Sequence, residues 1–272
     1  MVIEPGDYGA KIISGFSKHR SLLTGMRAHY RFKFGINFSQ YPPRPKLETN
    51  NMRGTIFLLH GYAGDKNFML GWGLALAQAG YRTVLVDLRG HGHSTGDRIY
   101  FGGIERTDLV QCLDSLVRRR VCDGRVGALG ISYGAVLALQ WAAIDARVEG
   151  VTAISPYSDP GTAVKAFLKF KAPLMPGRMD RKVAGIIMTK LAARWPDLTT
   201  ETAVHEITRP ILFVRGERDK LCSEQFMSDL RRVASPGSET IVVPHANHLD
   251  AGLCVNQLEG PVTNWFRGHL TP

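Results

Sequence analysis

Residues 126–143 read Val-Gly-Ala-Leu-Gly-Ile-Ser-Tyr-Gly-Ala-Val-Leu-Ala-Leu-Gln-Trp-Ala-Ala and set Ser132 between Gly130 and Gly134. An apolar run typical of a buried strand precedes the serine, and a run typical of a helix follows it. A sharp turn between the two would crowd side chains at positions 130 and 134, and glycine relieves that crowding. We therefore expect a strained turn that exposes the Ser132 hydroxyl at the carboxyl end of a strand, beside a helix amino terminus.

Short apolar runs recur on both sides of this stretch and predict buried strands. They are Thr55–Leu59, Thr83–Val86, Val126–Leu129, Val151–Ile154, Ile211–Val214 and Ile241–Val243. Helical patterns such as Phe68–Ala79 and Ile104–Arg120 lie between them. Alternation of this kind predicts an α/β fold with a doubly wound, mostly parallel sheet and helices on both faces. For residues 1–53 we expect an N-terminal edge segment with an antiparallel hairpin near Arg27–Phe38.

One segment, residues 156–209, interrupts the alternation of strands and helices. It contains prolines and helical or irregular sequence but no good strand pattern. It is also too long for a simple connection between a strand and a helix. We predict a helical cap inserted into a single domain, whose core consists of residues 54–155 and 210–272.

The net charge of +10 is concentrated in this predicted cap. Between residues 161 and 195 a single acid, Asp180, stands against eight basic residues, which are Lys165, Lys169, Lys171, Arg178, Arg181, Lys182, Lys190 and Arg194. One interpretation is a cationic rim that attracts an anionic substrate or rests on an anionic lipid surface. The other is the solvated outer face of two amphipathic helices. No nucleic-acid recognition motif accompanies the charge, so we expect no nucleic-acid partner.

The predicted cap also carries apolar side chains suited to an acyl group. The candidate pocket residues are Phe167, Phe170, Met175 and Ile187. No apolar run approaches the ~20 residues that span a bilayer. The amino terminus has no apolar signal region, which favours a cytoplasmic location, with a mature exported form as the alternative.

The strand, the G-x-S-x-G turn and the helix resemble the nucleophile turn of the α/β-hydrolase family, and the resemblance extends from residue 54 to the end. In that family an acid and then a histidine follow the serine. Asp219 follows the strand Ile211–Val214, and His248 follows the last strand. The resemblance implies that His248 deprotonates Ser132 and that Asp219 orients the imidazole. His245 is the alternative base and Asp159 the alternative acid, and the family's loops favour His248 and Asp219.

Two further loops match family patterns. His60-Gly61-Tyr62-Ala63-Gly64 resembles the family's oxyanion loop, which implies the backbone N–H groups of Tyr62 and Tyr133 as oxyanion donors. It lacks the HGGG sequence of many lipases and esterases, and we interpret His60 as a structural hydrogen-bonding residue. The loop Asp87–Ser94 matches D-x-R-G-x-G-x-S, which we interpret as loop architecture. Its histidines lack further ligands at metal-binding spacing, so we predict no metal and no cofactor.

The sequence thus predicts a serine hydrolase that cleaves carboxylic esters through an acyl-enzyme, with a small-molecule acyl ester, anionic or lipid-like among the candidates, as its substrate. Alternatives on the same triad are a thioesterase and a serine peptidase, although the cap lacks the acidic patch that would hold a substrate amino terminus. A catalytically silent binding protein is the alternative from a different class. The four cysteines predict free thiols, with a disulfide between Cys222 and Cys254 as the alternative.

Overall fold

The computed structural model describes residues 1–20, 28–39, 46–47, 52–122, 125–172 and 177–270. The strands in these residues are β1 (Val2–Ile3), β2 (Gly6–Asp7), β3 (Ala10–Arg20), β4 (Ala28–Phe38), β5 (Lys46–Leu47), β6 (Thr55–Leu59), β7 (Arg82–Val86), β8 (Val126–Ile131), β9 (Val148–Ile154), β10 (Ile211–Gly216) and β11 (Glu239–Val243). The α-helices are α1 (Leu70–Gln78), α2 (Glu105–Arg118), α3 (Tyr133–Ala142), α4 (Pro160–Lys171), α5 (Gly177–Ala192), α6 (Thr200–Glu206), α7 (Glu224–Val233) and α8 (Val255–His269). Short 3₁₀ helices cover Lys66–Met69 and Ala251–Leu253.

The main sheet has seven strands in the order β1-β7-β6-β8-β9-β10-β11. All neighbours from β7 to β11 pair in parallel, and only β1 runs antiparallel at one edge. The chain goes from β6 outward to β7 and then returns to add β8 on the other side of β6. This reversal leaves a crevice at the carboxyl ends of β6 and β8, which is where open α/β sheets place their sites.

Both faces of the sheet are covered, as the strand patterns predict. Side chains alternate along β6, so Phe57 and Leu59 enter one core and Ile56 and Leu58 enter the other. Helices α2, α3, α6 and α7 supply the first core, while α1 and α8 supply the second. This is the predicted doubly wound α/β architecture.

The N-terminal prediction is right about the hairpin and wrong about its place at the sheet edge. Strands β3 and β4 form an antiparallel ribbon of their own, with Ala10 opposite Phe38. Ile12 on β3 is buried in the core that α8 supplies, so the ribbon lies over a helix instead of extending the sheet. Val2–Ile3 takes the edge position, because Ile3 is buried there beside β7. The proline-rich connector at residues 41–45 lies outside the described residues.

The described part of the segment 156–209 contains three helices and no strand. Asp159 begins α4 by accepting a hydrogen bond from the backbone N–H of Thr162. Helices α4 and α5 approach closely at Gly161, where an added Cβ would lie 2.9 Å from Cγ of Met188. None of the helices that the structure describes is long and apolar enough to cross a membrane.

Candidate active site

The turn at Ser132 has the strain that the sequence predicts. Its φ is +54° and its ψ −110°, a conformation that only a well-anchored non-glycine residue adopts. A Cβ on Gly130 would lie 2.1 Å from the carbonyl oxygen of Gly134, inside the turn. One on Gly134 would lie 2.1 Å from the carbonyl oxygen of Leu59 on β6. The flanking glycines are confirmed as requirements of close packing, and the second one faces the neighbouring strand.

Three of the side chains singled out in the sequence form one hydrogen-bonded chain. Ser132 Oγ lies 2.8 Å from His248 Nε2. His248 Nδ1 lies 2.9 Å and 3.1 Å from the two carboxylate oxygens of Asp219. Because an ionised carboxylate can only accept, Nδ1 carries the proton, and Nε2 is left to accept the hydrogen of the serine. The three residues follow β8, β11 and β10, so the parallel sheet brings their loops together at one edge.

Asp219 is buried, and its carboxylate accepts several hydrogen bonds. Its exposed fraction is 4%, and its Oδ1 also accepts hydrogen bonds from the backbone N–H of Leu221 at 2.9 Å and of Cys222 at 2.8 Å. Burial alone would raise the pKa of this carboxyl group. The hydrogen bond and charge of His248, with the N–H of Cys222, outweigh that effect and hold the pKa below its ordinary value. The group therefore stays ionised beside the imidazole.

The alternative acid and base are engaged elsewhere. His245 lies just after β11, and its Nδ1 is 3.3 Å from Oε2 of Glu217. The carboxylate of Asp159 accepts hydrogen bonds from the N–H of Thr162 at 2.9 Å, from its hydroxyl at 2.6 Å and from the hydroxyl of Ser158 at 2.7 Å. These partners make Asp159 the cap of α4.

The candidate oxyanion donors are both backbone groups next to the serine. The N–H of Gly64 donates to the carbonyl of Gly61 at 3.0 Å, and Ala63 has a φ of +60°, which defines a type II turn. Tyr62 occupies the second position of this turn, where the N–H is not used by the turn itself. Tyr133 is the first residue of α3, so no carbonyl of its own helix can accept its N–H. A Cβ on Gly61 would lie 3.8 Å from Cβ of Ser132, which places the turn beside the serine.

His60 ties this turn to the loop that follows β7. Its Nε2 accepts a hydrogen bond from the backbone N–H of Leu88 at 3.1 Å, so its Nδ1 carries the proton and donates to the carbonyl of Gly61 at 2.8 Å. Burial lowers the pKa of His60 below its ordinary value, which keeps the ring neutral. This geometry is that of a structural hydrogen-bonding residue.

The loop 87–94 is organised around Asp87. Its carboxylate accepts hydrogen bonds from the backbone N–H of Lys66 at 2.8 Å and of His93 at 3.1 Å, and it forms an ion pair with the Lys66 ammonium group. Burial opposes ionisation of Asp87, but these donors outweigh it and lower its pKa to about 2. Within the described residues there is no group of three or more His, Cys, Asp or Glu side chains that could hold a metal ion.

An aromatic cluster around Tyr62, next to the candidate site, was not foreseen from the sequence. The ring of Tyr62 contacts the rings of His91 at a centroid distance of 5.6 Å, Tyr133 at 6.4 Å and Phe167 at 4.9 Å. His91 also packs against His60 at 5.1 Å. Because Phe167 belongs to α4, the cluster links the predicted cap to the candidate oxyanion turn.

Of the other three predicted pocket residues, the structure describes the side chain of Ile187 alone. Ile187 is half-buried in α5. Met175 and the side chain of Phe170 lie outside the described residues. All four cysteines have free thiols, so Cys222 and Cys254 do not form the disulfide that was considered as an alternative.

The fold and this arrangement are those of a hydrolase built on an open α/β sheet, and comparison with known proteins gives the family. A model described as the alpha/beta hydrolase fold matches residues 54–201. The chain therefore belongs to the α/β-hydrolase fold family.

The relatives that match this chain by sequence have low identity to it. An uncharacterized 31.7 kDa protein from the traX-finO intergenic region of Escherichia coli is 29% identical over 115 residues, which cover 41% of this chain and 40% of that protein. This chain thus matches less than half the length of that relative. The 2-(acetamidomethylene)succinate hydrolase of Mesorhizobium japonicum is 26% identical over 220 residues, covering 67% of this chain and 76% of that protein.

Solved structures share the fold at low identity. An esterase of Pyrococcus furiosus superimposes with a TM-score of 0.63 at 19% identity, covering 97% of this chain and 94% of that chain. A monoacylglycerol lipase of Paleococcus ferrophilus superimposes with a TM-score of 0.57 at 16% identity, covering 80% and 95%. The family and these neighbours support a hydrolase.

Proposed function

We propose that the chain is a serine hydrolase that cleaves carboxylic esters through an acyl-enzyme intermediate. The observation that carries the proposal is the hydrogen-bonded chain from Ser132 through His248 to Asp219. A serine hydroxyl is a poor nucleophile unless a base removes its proton, and here the base lies 2.8 Å away with its acceptor nitrogen facing the serine.

In the first half-reaction, Ser132 Oγ attacks the carbonyl carbon of the ester while its proton passes to His248 Nε2. The carbonyl oxygen becomes an oxyanion, which the N–H groups of Tyr62 and Tyr133 and the amino terminus of α3 stabilise. Asp219 stabilises the imidazolium ion that forms. The bond to the leaving oxygen then breaks, the alcohol departs with the proton of His248, and the acyl group remains on Ser132.

In the second half-reaction, His248 removes a proton from water, and the resulting hydroxide attacks the acyl carbon. A second tetrahedral intermediate collapses, the carboxylic acid leaves, and the proton returns to Ser132 Oγ. No atom or electron is needed beyond ester and water. The neutral, fixed imidazole of His60 takes no proton in this sequence, since both its ring nitrogens are occupied by the backbone.

The substrate proposed is a small-molecule acyl ester whose acyl group binds between the oxyanion turn and α4. The contact between Tyr62 and Phe167 supports this, because it brings an apolar cap side chain to the turn beside the serine. The names of the structural neighbours, an esterase and a monoacylglycerol lipase, describe ester cleavage by those proteins and agree with the proposal.

A p-nitrophenyl ester series from acetate to palmitate tests the proposal, with Ser132→Ala as the blank. We expect kcat/KM well above the blank, a burst of p-nitrophenol equal to the enzyme concentration, and labelling by a fluorophosphonate that Ser132→Ala abolishes. Activity no higher than the blank on every ester would refute ester cleavage. Thioester and aminoacyl-amide substrates in the same assay separate the alternative chemistries, and silence on all of them would indicate a binding protein.

A further inference from the structure

Helix α5 has two faces of opposite character. Ala184 and Leu191 are buried, while Asp180, Ile187 and Met188 on the same side are half-buried. This side faces the protein, as the close approach of Met188 to Gly161 of α4 shows. The packing of α5 on the rest of the molecule is thus accounted for by this one side.

The opposite side of α5 exposes large apolar residues among cations. Met179 and Ile186 have exposed fractions of 54% and 50% and stand seven residues apart, which aligns them about 10 Å from each other on one stripe. The cations Arg178, Lys182 and Lys190 flank this stripe and are exposed. We call these five residues the α5 outer face.

The charge of the outer face is not neutralised. None of its three cations forms an ion pair with an acid in the described part of the chain, and the one acid of the helix, Asp180, lies toward the protein. Lys165 and Lys169 on the adjoining helix α4 are also exposed. The face therefore combines uncompensated positive charge with exposed apolar side chains.

We propose that the α5 outer face is a peripheral docking surface for an anionic lipid bilayer. Cations at a membrane surface are attracted by anionic headgroups, and large apolar side chains between them enter the boundary between headgroups and acyl chains. The alignment of Met179 and Ile186 on one stripe between cations is the pattern of a helix that lies on a membrane surface. The docking requires no catalysis and therefore stands or falls independently of the proposed ester cleavage.

Vesicle co-sedimentation tests the proposal in the Ser132→Ala background, so that hydrolysis of lipid cannot alter the vesicles. The vesicles contain phosphatidylcholine alone or an equimolar mixture with phosphatidylserine. The charge variant combines three substitutions, Arg178→Gln, Lys182→Gln and Lys190→Gln. Its control removes the same net charge from the exposed end of α2, with Arg118→Gln, Arg119→Gln and Arg120→Gln.

The apolar variant combines Met179→Gln and Ile186→Gln, and its control combines Val117→Gln and Ile144→Gln, which change side chains of similar exposure elsewhere. We expect wild-type partitioning to favour the anionic vesicles and to weaken at high ionic strength. The charge variant should lose roughly fivefold per cation, on the order of 100-fold in total. The apolar variant should lose roughly tenfold or more. Both controls should remain within about threefold of wild type.

Three outcomes would overturn the proposal. Equal partitioning of the wild type into both kinds of vesicle would remove the anionic surface as a partner. An equal loss in the charge variant and its α2 control would mean that net charge alone is responsible. A loss in the charge variant with none in the apolar variant would mean that Met179 and Ile186 do not enter the bilayer, which contradicts the docking surface as proposed.

Discussion

Replacing Asp219 by asparagine changes the chemistry of the site while leaving its shape almost unaltered. The amide oxygen can still accept the hydrogen bonds that Leu221 and Cys222 donate. The amide nitrogen, however, is a donor and takes the place of a carboxylate oxygen that faces His248 Nδ1 at 2.9 Å. A donor at this position favours the imidazole tautomer in which Nδ1 accepts and the proton lies on Nε2. That proton points at Ser132 Oγ, and the base can no longer accept the serine proton.

The expected magnitudes separate a catalytic effect from a structural one. A wrong imidazole tautomer lowers kcat by ~10⁴, which corresponds to about 5 kcal/mol of transition-state stabilisation. Loss of a charge-assisted hydrogen bond destabilises the fold by about 1–3 kcal/mol, against a total stability of about 5–15 kcal/mol. Asp219→Asn should therefore remain folded and lose nearly all activity.

Asp159→Asn is the matched control, because it makes the same chemical change at the alternative acid. Asparagine caps helices as well as aspartate does, so α4 should remain intact. We expect kcat/KM on p-nitrophenyl acetate within about threefold of wild type, with thermal unfolding recorded in parallel for both variants. Asp219→Asn retaining more than about a tenth of wild-type kcat/KM, or Asp159→Asn falling as far, would refute the assignment of the acid.

Three other substitutions examine the backbone of the site and its supporting loop. Tyr62→Pro preserves a type II turn but deletes the N–H donor, so kcat should fall by ~10²–10³ while Tyr62→Ala stays within about tenfold. Gly134→Ala puts a methyl group 2.1 Å from a carbonyl oxygen of β6 and should lower the free energy of unfolding by about 1–3 kcal/mol or more. Asp87→Asn should lower that free energy by about 2 kcal/mol at neutral pH, since the pKa of Asp87 is lowered from 3.8 to about 2.

Each of these three predictions has a control variant or a pH dependence that could contradict it. Equal kcat in the two Tyr62 variants would remove its N–H from the mechanism. Gly268→Ala, where an added Cβ meets nothing within 4 Å, should be neutral or stabilising, and an equal loss there would contradict the steric argument. Because the folded-state pKa of Asp87 is lowered, its contribution is full above 3.8 and disappears as the pH falls to about 2. Denaturant unfolding showing the same difference at both ends of that range would contradict the ion pair.

The sheet was predictable because its signals are local. Each buried strand is a short apolar run bounded by glycine, proline or charge, and the observed strands extend the predicted ones by only a few residues, as Val148–Ile154 extends Val151–Ile154. The turn at Ser132 was predictable for the same reason, because two glycines that flank one serine indicate close backbone packing on both sides of it. Asp219 and His248 were named from the resemblance to the α/β-hydrolase family, in which an acid and then a histidine follow the serine at the ends of later strands. Their catalytic roles stay predictions.

Features that depend on contacts distant in sequence could not be read in this way. The ribbon β3–β4 has the sequence pattern of a hairpin. Its position over α8 depends on the burial of Ile12 against residues that are distant in sequence. Likewise, His91 looks like one residue of a loop motif, and nothing nearby indicates that its ring packs against Tyr62 and Tyr133. Such contacts are decided by the sheet order, which brings the loops after β6, β7 and β8 together.

Tyr62 connects the candidate oxyanion turn with helix α4 of the predicted cap, two segments that the sequence analysis considered separately. Its backbone N–H belongs to the turn beside the serine, and its ring packs on Phe167 of α4 at 4.9 Å. Under the proposed mechanism, an acyl group that binds between these rings displaces their contact, so its binding energy also acts on the turn that carries the proposed oxyanion donor. Cap residues in this cluster should therefore influence kcat as well as KM. The α5 outer face, on the far side of its helix from the core, should influence only where the enzyme resides.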